Sequence, residues 1–165
     1  FATDQFNNRD MVEGYAELGR ELLDQLDGRI DAFCSYVGTA GCFLGVTRAL
    51  REAVPDVHRA VVEPAESPVI SEGRAGTHHI EGGGVGFIPP LLEDGGWDEV
   101  ITVSTADAGV MARRAARHEG IWTGRSGGAN LAAAHRIANR LGRGHLVVTV
   151  QPDSGLKYLN GDIYR

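Results

Sequence analysis

Residues 36–50 read YVGTAGCFLGVTRAL, an apolar run that breaks into a Gly-rich turn and resumes with helical character. Just upstream, RIDAFCSYV (29–37) predicts a buried strand bounded by glycines. Downstream, a helix is expected over 43–53, stopping before Pro55. This strand–turn–helix unit sets the pattern for the rest of the chain. HRAVVEP (58–64), WDEVITVS (97–104) and GHLVVTV (144–150) read as further strands, each a nearly continuous apolar run. Between them, Val12, Tyr15, Leu18, Leu22 and Leu26 recur at helical spacing until Asp27-Gly28 breaks the pattern. A second such helix is expected over 106–118, capped by Thr105 with Asp107 in its first turn. The segment 120–142, GIWTGRSGGANLAAAHRIANRLG, predicts a short strand or turn followed by a helix, and the Gly/Pro-rich region 65–94 an ordered loop with short elements. Alternating helices and wholly apolar strands imply an α/β fold of three layers, with a mostly parallel sheet covered on both faces.

Composition limits what such a fold does. The 165 residues, 42% of them hydrophobic, suffice for one domain or a large part of one. A net charge of −6 argues against a nucleic-acid backbone as the main partner, and no apolar stretch approaches the length of a membrane span. The expectation is a soluble, cytoplasmic protein. Cys34 and Cys42 have no companion pair or histidine at metal spacing, so neither a disulfide framework nor a metal site is expected. His78 and His79 are adjacent, and in extended backbone adjacent side chains point to opposite faces; they read as solvated loop histidines rather than ligands. Arg125 reads equally as a contact to substrate or partner and as surface.

In parallel sheets, ligands sit beyond the carboxyl ends of strands, where the Gly-rich turn lies. Successive amides there, with the helix dipole behind them, suit a phosphate; the same glycines equally suit close helix–strand packing. GTAGCFLG lacks the glycine spacing of a dinucleotide fingerprint, and no Gly-Lys-Ser/Thr follows, so it is not a P-loop.

Six stretches, in order, carry a resemblance: DQFNN (4–8), VGTAGCFLGVTRAL (37–50), VEPAESPVI (62–70), HHIEGGGVGFIP (78–89), EGIWTGRSGGANLAAA (119–134) and QPDSGLKYL (151–159). Together they resemble the C-terminal half of cysteine synthases and related cystathionine β-synthase-like enzymes, which use pyridoxal phosphate and have the tryptophan synthase β-like fold (fold type II). The resemblance covers essentially the whole chain. It implies that Gly38, Thr39, Ala40, Gly41 and Cys42 grip the cofactor phosphate. Ala40 stands where the family has glycine, and Cys42 where it has a threonine hydroxyl. By the same resemblance Ser126 faces the pyridine nitrogen, Pro152, Asp153 and Ser154 lie near the ring, and Gly82, Gly83 and Gly84 line the substrate side. Read locally, Ser126 also suits a helix cap, and the other segments turns. Gly127 departs from a second family serine.

The family's Schiff-base lysine and substrate-carboxylate loop lie upstream of everything matched here. Lys157 is the only lysine beside fifteen arginines, and its position is not the Schiff-base position. No catalytic residue is therefore assigned within these residues, and the chain, which opens at Phe1, is expected to be one half of a longer, homodimeric enzyme whose N-terminal half is its partner. The implied reaction is β-replacement on a β-substituted L-alanine such as O-acetylserine, with sulfide or a thiol as nucleophile. The alternatives are β-elimination, as in cysteine desulfhydrases or serine/threonine dehydratases, and a non-catalytic binding module.

Overall fold

The computed structural model describes residues 2–93 and 95–165. Four strands, β1 (Ala32–Tyr36), β2 (His58–Pro64), β3 (Glu99–Val103) and β4 (Val147–Thr149), form one sheet in the order β3-β2-β1-β4. Every pairing is parallel, with Ala32 opposite both His58 and Val147, and Ala60 opposite Glu99. The α-helices among the described residues are α1 (Asp10–Gln25), α2 (Gly41–Ala53), α3 (Val69–Glu72), α4 (Thr105–Glu119) and α5 (Arg125–Leu141).

Strand alternation divides the core into two layers. Phe33, Val37 and Val61 point to one face, where Phe43, Val46 and Leu50 of α2 meet them, with Leu18 and Leu22 of α1 packed behind. Ala32, Cys34, Ala60, Val62, Ile101 and Val103 point to the other, against Ala108 of α4 and Ala129, Ala132, Ala133 and Ile137 of α5. Helices on both faces make the expected three-layer α/β arrangement, and Ala32, Phe33 and Cys34 are completely buried as a central parallel strand requires.

The amino ends of the strands are tied by charge. Asp31 accepts from the Leu146 amide at 2.7 Å and faces His145 at 2.9 Å. Arg59 grips Asp98 with two guanidinium nitrogens at 2.8 and 3.0 Å, and Glu99 lies between His58 and Arg140. The backbone bond from Leu146 holds Asp31 below the usual carboxylate range, as Arg59 does Asp98 and Arg140 does Glu99.

Several boundaries differ from the sequence reading. Helix α2 begins at Gly41, not 43, because Ala40 turns left-handed (φ 71°) and delivers Gly41 directly into the helix. Ser104, not Thr105, caps α4, accepting from the Asp107 amide at 3.0 Å. Gly124 occupies the cap position of α5, so Ser126 is a helical residue and not a cap, and no strand precedes it. Region 65–94 holds α3 and a 3-10 turn, Pro90–Leu92; its last residue, Asp94, lies outside the described residues, as does Phe1. The buried Glu63 organises the start of that loop by accepting from the amides of Ile70 and Ser71 and from the Ser71 hydroxyl.

Helices α4 and α5 approach so closely that a side chain at Gly128 would place its Cβ 2.0 Å from the Ala108 carbonyl oxygen. Backbone cannot yield as a side chain does. Gly128→Ala is expected to destabilise the fold by about 1–3 kcal/mol through overpacking, read as a lower urea midpoint with unchanged slope.

Candidate functional site

Strands β1 and β4 pair only as far as Cys34 and Thr149. Beyond that point they separate, since the strand order reverses between them: β2 and β3 lie to one side of β1 and β4 to the other. A crevice at the carboxyl ends of such strands is where an open α/β sheet binds ligands. Asn130 of α5, 1% exposed, spans the gap: its Oδ1 accepts from the Tyr36 amide at 2.6 Å and its Nδ2 donates to the Val150 carbonyl at 2.7 Å. Above it lies a cavity of about 1180 Å3.

The Gly-rich turn forms one wall. Gly38, Thr39, Ala40, Cys42 and Phe43 line the cavity. Among the described residues, no carbonyl or side chain accepts from the amides of Gly38, Thr39, Ala40, Cys42 or Phe43. The amides at the start of α2 thus add unused donors to the positive end of the helix dipole, a favourable setting for an anion. Ala40 holds this geometry against its preference, because left-handed backbone costs an alanine about 1–2 kcal/mol. Gly41 does not line the cavity: a Cβ there would sit 2.2 Å from Met11 Sδ, so this glycine serves the packing of α1 on α2. Both readings of the turn therefore have residues to support them. Burial pushes the Cys42 thiol up to about 11, so at neutral pH the side chain beside the amides is uncharged.

A second wall is the glycine strip. Gly82 and Gly83 line the cavity, whereas Gly84 lines a small adjoining crevice. Strip and turn meet backbone to backbone: a Cβ on Gly38 would lie 2.7 Å from the Gly82 oxygen, and one on Gly83 would lie 2.4 Å from the Val37 oxygen. His78 is not solvated as expected. Half-buried, it accepts from the Ile80 amide at Nδ1 and pairs through Nε2 with the Gly84 carbonyl, while His79 is exposed.

The floor comes from α5 and the segment after β4. Ser126, 6% exposed, lines the cavity with a hydroxyl that has no hydrogen-bond partner among the described residues. Pro152 and Asp153 line it as well. The Asp153 carboxylate is engaged: it accepts from the Gly124 amide at 2.8 Å, from the Thr123 hydroxyl at 3.3 Å and from the Tyr158 hydroxyl. Asp153 thus fixes the turn leading into α5, and with it the position of Ser126. Burial, then the Asp153 carboxylate, push the Tyr158 hydroxyl above its usual range. Ser154 accepts from the Leu156 amide and starts the turn that carries Lys157, which is exposed at the cavity rim. Arg125 lies outside the lining, paired with Asp162 at 2.6 Å and near Glu81 at 3.8 Å.

Sequence reasoning missed Asn130, Tyr36 and Tyr158. Asn130 alone left a signal, a polar residue inside the Ala-rich run GGANLAAA. Free amides, a backbone-only contact that leaves room for a ligand against the turn, and a cavity-lining hydroxyl without a partner among the described residues fit a phosphate-bearing aromatic cofactor. No group of three or more metal-ligating side chains occurs among the described residues.

Comparison with known proteins agrees. The family model described as pyridoxal-phosphate dependent enzyme matches residues 1–153. A cysteine synthase of Staphylococcus aureus is 42% identical over 99% of this chain and 54% of its own length. Two solved structures, each 35% identical, are similar throughout. O-acetyl serine sulfhydrylase isoform 3 of Entamoeba histolytica has a TM-score of 0.96, covering 99% of this chain and 49% of its own. A hydrogen sulfide-producing enzyme of Fusobacterium nucleatum has a TM-score of 0.94, covering 100% and 51%. The chain spans about half the length of the curated relatives it matches.

The buried thiol of Cys42 supplies a pH test of the turn. At pH 8 a group titrating near 11 is about 0.1% thiolate, against about a quarter for an ordinary cysteine, and the thiolate is the reactive form. Alkylation of Cys42 by iodoacetamide in the folded protein should therefore run roughly two orders of magnitude slower than in the unfolded chain. It should climb about tenfold per pH unit up to the titration near 11, followed by peptide mass spectrometry.

Proposed function

The chain belongs to the pyridoxal-phosphate dependent enzyme family, and from that premise we propose that it forms the phosphate-gripping half of an enzyme catalysing β-replacement on a β-substituted L-alanine. O-acetylserine or a close analogue is the amino-acid substrate, sulfide or a small thiol the nucleophile, and cysteine or an analogue the product. The similarity to cysteine synthases over nearly all of the chain supports this reading. When bound, the cofactor supplies an electron sink for the pair left at the substrate α-carbon as its proton departs.

The chain's own residues have separable tasks. Amides of the 38–43 turn hold the phosphate, supported by the α2 dipole. Ser126 offers the ring nitrogen a neutral hydroxyl, and the observation that carries the choice of reaction is that this residue lines the cavity with a hydroxyl that has no partner among the described residues, while Asp153 is occupied by three donors. With no free carboxylate at that wall to hold a proton on the ring, the sink is mild, which favours loss of a β-substituent over transamination. Gly82 and Gly83 leave space for substrate without presenting a side chain to it. In this reading the lysine that links to the cofactor lies outside these residues, and Lys157, exposed on a turn at the cavity rim, is not given that role. A homodimer in the cytoplasm completes the reading.

A second reading is net β-elimination, favoured by the likeness to the hydrogen sulfide-producing enzyme. The two reactions share their early steps and part when water or an added nucleophile reaches the reacting carbon, so exclusion of water decides between them.

Ser126→Ala should leave the fold intact, shift the cofactor's visible absorbance and slow turnover roughly five- to tenfold, the size of one hydrogen bond of about 1 kcal/mol or slightly more. Parent-like spectrum and kinetics would show that the hydroxyl does not meet the ring. Incubating the full-length enzyme with O-acetylserine, with and without sulfide, tests the reaction itself. Cysteine formation with suppressed pyruvate is expected, and rapid pyruvate release that sulfide does not suppress would make the enzyme a lyase. Borohydride reduction of the same preparation should leave Lys157 unlabelled.

A further inference from the structure

The strip that forms the substrate-side wall has almost no hydrogen bonds of its own. Among the described residues, no backbone hydrogen bond involves Glu81, Gly82 or Gly83. Gly82 and Gly84 take left-handed φ values of 89° and 60°, so the strip bends sharply without a ladder to hold the bend. Its position is set from either side. On one side the Tyr36 hydroxyl donates to the Ile80 carbonyl at 3.0 Å; on the other the Gly84 amide donates to the Val37 carbonyl at 3.1 Å. What joins the two sides is the imidazole of His78. The Ile80 amide donates to its Nδ1 at 3.2 Å, which leaves the proton on Nε2, and that proton is donated to the Gly84 carbonyl at 2.8 Å. One ring closes residues 78–84 into a loop, with both nitrogens used.

We propose that His78 is a positioning residue for the substrate-side wall: as the Nε2–H tautomer it clamps Ile80 to Gly84 and so holds Glu81, Gly82 and Gly83 at the distance from the phosphate turn that the amino-acid substrate needs. The inference rests on the cavity being the site of β-replacement. His78 touches neither cavity nor ligand; it acts through the backbone of the strip. Its room depends on Gly84, where a Cβ would come within 2.6 Å of Nε2 and 2.8 Å of the Tyr36 hydroxyl. Because the strip also rests on Gly38, a loosened clamp changes the width of the substrate space without removing a donor from the phosphate turn. The signature is therefore weaker substrate binding with cofactor content preserved.

The test uses the full-length holoenzyme and two variants. Glutamine at 78 carries an acceptor and a donor on one side chain and can replace both bonds, whereas alanine replaces neither. For His78→Ala, hydrogen–deuterium exchange without substrate should quicken roughly tenfold or more at the hydrogen-bonded Ile80 and Gly84 amides, read in peptides covering 78–86, and stay unchanged in α2 and α5. KM for O-acetylserine should rise about five- to tenfold while kcat stays within about threefold, as loss of one or two net hydrogen bonds predicts. His78→Gln should recover most of both effects. Unchanged exchange in 78–86 for His78→Ala, or a His78→Gln enzyme as impaired as His78→Ala, overturns the proposal. Absence of replacement activity in the parent enzyme would instead remove the functional reading, while the exchange result still decides the clamp.

Discussion

Asn130 holds open the place where the site forms. Two parallel strands that part company expose unpaired amides and carbonyls along the split, and burying these without partners costs free energy comparable to lost hydrogen bonds. One amide side chain satisfies a donor on β1 and an acceptor just beyond β4 at 2.6 and 2.7 Å, and by doing so fixes how far the strands separate. Helix α5 is thereby pinned over the crevice, and Ser126, one turn earlier on it, is presented to the cavity floor. An apolar residue at 130 would leave the Tyr36 amide and the Val150 carbonyl buried and unpaired.

The walls above this floor are assembled from backbone more than from side chains. Gly38 against Gly82, and Gly83 against Val37, bring two loops into contact with nothing between them. Such contacts tolerate no added atom, yet they leave amides exposed toward the cavity. The contrast with the layers below is instructive. There, Phe33, Phe43 and Leu50 fill one interface with bulk, whereas the α4–α5 side is filled by Ala108, Ala129, Ala132 and Ala133, so the helices sit close. That close approach lets a short side chain such as Asn130 reach both strands.

The sheet and its covering helices were legible in the sequence because period and burial agree there: apolar runs such as AFCSYV and HRAVVEP have no second interpretation once helices alternate with them. The Gly-rich turn was legible as a turn, but its two functions, donor array and helix packing, fall to different residues, and only the close contact of Gly41 with Met11 separates them. Ser126 looked like a cap because caps and second helical positions draw on the same residue types; the deciding fact, that Gly124 already occupies the cap, is one of backbone angles. His78 looked solvated because its partners, the Ile80 amide and the Gly84 carbonyl, are main-chain groups that leave no mark on the residue string. Asp153 was legible as near the floor and not as a support for the turn before α5, since that depends on Gly124 and Tyr158 folding back from either side.

The distribution of charge in the molecule separates what the solvent can tune from what it cannot. Ion pairs gather at the amino ends of the strands, on Asp31, Arg59, Asp98 and Glu99, where acid and added salt reach them. At the carboxyl ends, the Gly-rich turn has peptide dipoles, a neutral thiol and no ionised side chain between Gly38 and Phe43. Peptide dipoles neither titrate nor attract a counterion atmosphere of their own. The turn's own share of the field presented to an anion there comes from the backbone and stays constant across acid and neutral buffers, whereas Glu81, Asp153 and Lys157, farther along the cavity lining, carry the part that acidity and salt can change.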